Sequence, residues 1–314
     1  MNTFIIAEAG VNHNGDITLA KRLVDEASKA GVDAVKFQTW RTELLVSKDA
    51  CQAKYQVENT GIVESQFDML KRLELSYSEF LELKSYCDSL GVMFMSTPDE
   101  VESANFLLPL QEIFKIGSGE LTNIPFLRHI ARFKKKIILS TGMATLGEIE
   151  DALGVIAFGL LGDKTGSPST NAFRSAYRSR NGQALLREKV SLLHCTTEYP
   201  TQTENINLSA MRTIRKAFGL KTGYSDHSED ITVPIAATAL GVTIIEKHFT
   251  LDKALPGPDH KASLDPKELK MMIDSIREIE KALGDGVKRP TLSELKNKNV
   301  IRVVDYVGEL QNLI

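Results

Sequence analysis

Cysteine is scarce in this chain of 314 residues: Cys51, Cys87 and Cys195 form no CxxC motif and are odd in number. A disulfide framework or a thiolate-held cluster is therefore not expected, and a reducing compartment is. There is no run of basic residues and the formal net charge is −3, so nucleic acid and anionic membrane surfaces are not expected partners. No apolar stretch approaches the ~20 residues that a membrane helix needs. Met1 leads almost directly into the strand-like FIIAEAG, without the charged segment and long apolar run of a secretory signal, and this points to the cytoplasm. Two phosphate-binding signatures are missing as well. No GxGxxG follows the first apolar run and GxxxxGK[ST] does not occur, so nucleotide-binding folds lose ground.

What is present is a soluble globular composition, 42% hydrophobic and 25% charged. Short apolar runs alternate with amphipathic segments. Runs at 3–7, 34–37, 92–95, 113–116, 136–139, 190–193, 221–224 and 243–246 read as strands. Segments 17–30, 76–89, 99–108, 123–132, 146–158, 208–218, 231–240 and 265–283 read as helices. Their ends carry signals: Gly31 as a stop, Ser76 with Glu79 as a capping box, Asn123 as a cap, Pro266 in a first turn. Segment 39–75 is too long for a plain connection and is a candidate functional loop. Segment 159–187 reads as an insertion on the surface, opened by Gly, Ser and Thr and continuing as one helix over 172–186. Eight βα units in a chain of this length predict an α/β fold, a (β/α)8 TIM barrel, over 1–285. Residues 286–314 then form a linker and a short C-terminal stub. Closure of such a barrel sets its eighth strand beside its first, which would bring Glu8 near His248.

The chemistry gathers where the predicted strands end, the edge at which α/β folds place ligands. Glu8, Gln38, Thr97, Ser118, Glu120, Ser140, Ser225, His227 and His248 all follow apolar runs. His227 and His248 close two consecutive βα units, so both imidazoles would emerge from neighbouring strands. Paired imidazoles among carboxylates and hydroxyls suit Mn, Mg, Co or Zn, with positions left open for water and substrate. A satisfied structural histidine is the plainer alternative for each. Lys36 in AVKFQ and Lys115 in IFKIGSG lie inside apolar runs, and a buried lysine needs an anion or a shifted pKa. The alternative is a surface lysine whose head reaches water. Two lysines, several hydroxyls and glycine-rich turns around one mouth would suit a small, highly charged anion such as a phosphorylated carboxylate.

The motifs EAGVNHNGD, AVKFQ, FKIGSGE, ILSTGMAT, LLHCTTEYP, GYSDHS and EKHFTLDKALPGPDHKAS resemble, in this order, those of the sialic acid synthase family. The resemblance implies condensation of phosphoenolpyruvate with an N-acetylated hexose such as N-acetylmannosamine, giving a nine-carbon sugar acid and phosphate. It implies a divalent metal held by His227 and His248, manganese first, with magnesium or cobalt as alternatives. It assigns Lys36, Thr97, Lys115, Ser118, Ser140 and Ser225 to phosphoenolpyruvate, and Gln38, Tyr199 and Asp259 to the amino sugar. Glu120 and Glu8 would handle protons, in that order of preference. Family members usually continue into a small antifreeze-like domain that reaches a partner subunit and lends it an arginine. The stretch after KRPTLSELKNKN is short for such a domain, so poor turnover, and a homodimer lacking its swapped contact, are the expectations here. Legionaminic or pseudaminic acid synthesis by the same chemistry is the nearest alternative. Others are a Schiff-base aldolase using Lys36, Lys115 or Lys247, and a ligand-binding paralogue with little turnover.

Overall fold

The computed structural model describes residues 2–53, 56–57, 60–162 and 166–301. Its strands are β1 (Phe4–Gly10), β2 (Ala34–Thr39), β3 (Met93–Pro98), β4 (Ile113–Ile116), β5 (Lys136–Ser140), β6 (Val190–His194), β7 (Lys221–Asp226) and β8 (Ile244–His248). They form one parallel sheet in the order β3-β2-β1-β8-β7-β6-β5-β4. The end strands β3 and β4 lie alongside each other without joining in a ladder, so the barrel is nearly closed. The helices are α1 (Ile17–Ala30), α2 (Thr42–Leu45), α3 (Gln66–Leu73), α4 (Tyr77–Ser89), α5 (Val101–Leu107), α6 (Ile124–Arg132), α7 (Leu146–Leu161), α8 (Thr170–Arg178), α9 (Arg180–Lys189), α10 (Ala210–Phe218), α11 (Thr232–Ala239), α12 (Pro266–Leu283) and α13 (Leu292–Ile301). One compact unit covers Met1–Glu280; a second begins at Lys281 and contains α13.

The period of two along each strand builds the barrel in layers. Outward residues such as Ile5, Val35, Phe114, Leu192 and Ile245 join the large core beneath the helices. Inward residues Ile6, Ala34, Met95, Ile138, Leu193 and Ile244 make a separate apolar plug inside the barrel. Two residues further along, the same strands again point inward, and there the chemistry changes. Glu8 follows Ile6, Lys36 follows Ala34, Thr97 follows Met95, Ser140 follows Ile138, Cys195 follows Leu193 and Glu246 follows Ile244. The apolar plug is the floor of the site, and this polar layer stands on it.

Several strands run on beyond their apolar runs, β7 through Asp226 and β8 through His248. Apolar character stops at the mouth, but the ladder continues, so Glu8, Gln38, Thr97 and Ser225 stand on ladder positions rather than in loops. The helix signals match closely: Ser76 and Glu79 form the capping box of α4, and the Asn123 side chain caps α6. Two expectations change. The single helix over 172–186 is two helices, because Ser179 ends α8 and its Oγ accepts from Gly182 N–H at 2.9 Å to start α9. Nor do the described residues of 159–187 form a surface excursion: Phe173 meets Phe158 of α7 edge-on at 5.2 Å, and Ala176 and Leu186 are buried, while 163–165 lie outside the described residues. Segment 39–75 carries α2 and α3, and its Trp40, Met69 and Leu73 close a small core with Val11. Residues 54–55 and 58–59 of that segment lie outside the described residues.

Candidate active site

At the carboxyl ends of the strands lies a cavity of about 200 Å³. Of the sequence-predicted residues, Glu8, Lys36, Gln38, Thr97, Lys115, Ser118, Ser140, Tyr199, Ser225, His227 and His248 line it. Two predicted residues do not. Glu120, in the turn Ser118–Glu120, accepts from Asn123 Nδ2 at 2.5 Å and lies outside the lining. Asp259 is buried behind His248, its Oδ2 3.8 Å from His248 Nδ1.

Both lysines are buried and face inward, which removes the surface alternative. Lys36 Nζ lies 2.6 Å from Glu8 Oε2 and donates to Thr97 Oγ1 at 2.9 Å. Lys115 Nζ lies 3.2 Å from Glu246 Oε1, and Ser225 Oγ donates to the same oxygen at 2.9 Å. Gln38 Nε2 donates to Glu8 Oε1 at 3.2 Å. Ser118 Oγ accepts from Gly142 N–H at 2.9 Å and shares a hydrogen bond with Cys195 Sγ at 3.1 Å. Ser140 Oγ is buried without a hydrogen-bond partner and lines the cavity, as a donor reserved for a ligand would.

Three carboxylates share the two lysines, and their environments separate them. Burial pushes Glu246 up, but Lys115 and Lys36 outweigh it and hold its carboxyl below the usual range. Burial pushes Glu8 up to about 7 despite Lys36, and Asp99 likewise to about 7. Burial also works against the Lys36 ammonium, yet Glu246 and Glu8 overcome it and raise its pKa. A carboxyl poised near neutrality inside a cavity is suited to carrying protons. Glu8 touches the cavity and Glu120 does not, so Glu8 is the better placed of the two.

The imidazoles of His227 and His248 stand 5.5 Å apart, centroid to centroid, with the Tyr199 ring 4.1 Å from the former. The Thr196 carbonyl lies 2.5 Å from His227 Nδ1, which fixes that nitrogen as a donor and leaves Nε2 for a ligand. His248 Nδ1 is buried with no hydrogen-bond partner. Burial lowers both rings, His227 to about 4, so both are neutral. Neutral imidazoles with unused nitrogens fit a divalent cation. Among the described residues no third His, Cys, Asp or Glu joins them, so the remaining positions would fall to water and substrate.

Lys247 points the other way along β8. Its side chain is fully buried, 2.6 Å from Asp226 Oδ2, and it does not line the cavity. Glu246, Asp99 and Cys195 line the site without having been singled out in the sequence, and Thr197, at the exit of the sixth strand, lines it as well. The period of two offers a signal for Glu246, since it precedes His248 by one strand repeat.

Residues 23–288 match the NeuB family. The chain is 48% identical over 301 residues to the N,N'-diacetyllegionaminic acid synthase of Campylobacter jejuni, covering 96% of this chain and 83% of that protein. It is 44% identical over 303 residues to the protein of the same name from Legionella pneumophila, covering 96% and 79%. The crystal structure of an N-acetylneuraminic acid synthetase from Leptospira borgpetersenii, in complex with citrate, superimposes with a TM-score of 0.75 at 34% identity, covering 96% of this chain and 93% of that one.

Proposed function

This chain belongs to the NeuB family of sialic-acid-type synthases, and we propose that it joins phosphoenolpyruvate to the open-chain aldehyde of an N-acetylated hexose. The products are a nine-carbon sugar acid and phosphate. One observation carries the reading: two buried lysines and a set of hydroxyls share a single cavity with two neutral imidazoles. The lysine side suits a phosphate and a carboxylate, and the imidazole side suits a cation that a carbonyl oxygen can approach.

Lys36, Lys115, Thr97, Ser118, Ser140 and Ser225 hold phosphoenolpyruvate and stabilise the charge that develops on it, a preorganised effect of several kcal/mol in comparable sites. Gln38 and Tyr199 orient the amino sugar, while Asp259, which does not reach the cavity, lies against His248. C3 of phosphoenolpyruvate attacks the aldehyde carbon, and the aldehyde oxygen takes up a proton. Water adds at C2 and gives up one proton, which balances the proton taken up by the aldehyde oxygen, and the tetrahedral intermediate loses phosphate by C–O cleavage. Glu8 moves the proton, lying against Lys36 and Gln38 at the cavity wall. A divalent ion held by His227 and His248, manganese in our reading, would supply Lewis-acid polarisation of the aldehyde. The names of the two relatives favour an acceptor carrying two acetamido groups. We place the enzyme in the cytoplasm on the strength of its three free thiols.

The test is incubation with phosphoenolpyruvate, Mn²⁺ and a panel of hexoses that includes N-acetylmannosamine and a diacetamido-trideoxyhexose. Mass detection of a nine-carbon acid with equimolar phosphate supports the reading. Failure to consume phosphoenolpyruvate with any acceptor refutes it.

A further inference from the structure

Glu246 occupies the place of an anion. Its Oε1 lies 3.2 Å from Lys115 Nζ and accepts from Ser225 Oγ at 2.9 Å. Its Oε2 is 3.8 Å from Lys36 Nζ and is buried without a hydrogen-bond partner. Two ammonium groups and a hydroxyl form a donor set for phosphate or carboxylate. Here the protein's own side chain engages that set. The reason lies in the burial of the two lysines. Buried lysines cannot stay charged without a nearby anion, and while Lys36 has Glu8 at 2.6 Å, Lys115 pairs with Glu246. The backbone enforces the arrangement: Ser225 and Glu246 are register partners on β7 and β8, and Glu246 stands directly above the apolar plug.

We propose that Glu246 is a positioning residue that stands in for the substrate's anion, holding the Lys36 and Lys115 ammonium groups and the Ser225 hydroxyl converged until phosphoenolpyruvate takes them over. The proposal rests on the reaction assigned above. It carries two effects of opposite sign. As a competing negative charge, Glu246 weakens anion binding. As the organiser of the donors, it speeds turnover. A purely structural side chain would harm both when removed.

The experiment measures phosphoenolpyruvate and inorganic phosphate binding by calorimetry, with kcat and KM, for the full chain and for Glu246→Gln. The glutamine keeps the size and a hydrogen-bonding oxygen but not the charge. Phosphoenolpyruvate should bind roughly tenfold more tightly, the scale of one charged contact, while kcat falls. The unliganded variant should melt earlier than wild type and gain more from phosphoenolpyruvate, because the ligand restores the missing charge. Should that variant fold poorly, Glu246→Asp draws the carboxylate back by one methylene, and it should bind phosphoenolpyruvate at least as tightly as wild type while turning over more slowly. Weaker binding by either folded variant, or an unchanged kcat, overturns the role of Glu246. Absence of phosphoenolpyruvate binding by the wild-type chain overturns the reaction itself, and the two failures are thus distinct.

Discussion

Glu8 of β1 and His248 of β8 are register partners, side by side where the first and last strands of the barrel meet. The proposed proton carrier and one of the two imidazoles thus stand on neighbouring ladder positions, in a layer that begins two residues above the apolar plug. The site depends on barrel closure, because nothing local in sequence joins these groups.

Replacing His248 should separate the cation from the fold. His248→Ala leaves the apolar plug untouched, so the circular dichroism and melting curve should stay close to wild type. Bound manganese, measured by elemental analysis after dialysis, should fall below one ion per chain, and activity with added Mn²⁺ should vanish. A variant that keeps stoichiometric metal and full activity argues against the two-histidine site.

Lys115 is expected to hold the anion without forming a bond to carbon. Lys115→Met removes a charged partner from the phosphoenolpyruvate side, and binding should weaken by about tenfold to a hundredfold, the range for one charge-assisted contact. Sugar affinity should change far less. Borohydride reduction in the presence of pyruvate should leave Lys36, Lys115 and Lys247 unmodified by mass spectrometry. A pyruvyl adduct on any of them would restore the aldolase alternative.

Much of this was legible in the sequence, and what was not has a physical cause. Strand–helix alternation, the caps at Ser76 and Asn123, and the convergence of Lys36, Lys115, His227 and His248 all follow from periodicity and topology. Apolar runs stop short of the strand ends because hydropathy follows burial in apolar surroundings, while the ladder continues into a polar mouth. Glu246 was overlooked for a related reason. A carboxylate at the end of an apolar run reads as the edge of a strand unless its spacing of two from His248 is used, and pairing with Ser225 and Lys115 shows it facing inward. The expected order of Glu120 before Glu8 is reversed: both follow strands, but the short turn Ser118–Glu120 directs Glu120 toward Asn123, while Glu8 lines the cavity. The packing of 159–187 depends on Phe158 meeting Phe173, a contact that no local pattern encodes.

The barrel wall has a position where no side chain fits. Gly223 lies in β7 between β6 and β8, and a Cβ there would come 2.6 Å from both the Ile244 carbonyl oxygen and Leu193 Cδ2. Backbone on one side and the apolar plug on the other leave little room to yield. Gly223→Ala should therefore destabilise the chain by about 1–3 kcal/mol, as overpacking does. Chemical denaturation would register this as a lower midpoint at unchanged slope. An unchanged midpoint would mean that β7 can shift outward at no cost.

The last prediction concerns pH and Asp99, which lines the cavity beyond β3. Burial pushes its carboxyl up from an ordinary 3.8 to about 7, against the opposing pull of Lys36. Between those values the folded chain keeps a proton on Asp99 and the unfolded chain does not. The contribution of this group to stability is therefore complete below pH 3.8 and is lost as pH rises through about 7. Asp99→Asn mimics the protonated form and never ionises, so its stability should lack that loss. The melting temperature of Asp99→Asn minus that of wild type should then become more positive from mildly acidic to neutral buffer and level off above about pH 7. Glu8, raised to about 7, shifts stability in the same direction, and the lowered histidines His13, His227 and His260 shift it in the opposite one. All of these are present in both proteins, so the subtraction isolates Asp99. A difference that stays flat across the range would mean that Asp99 is ionised throughout, held so by Lys36, and that the cavity carries one more negative charge at neutral pH than this reading allows.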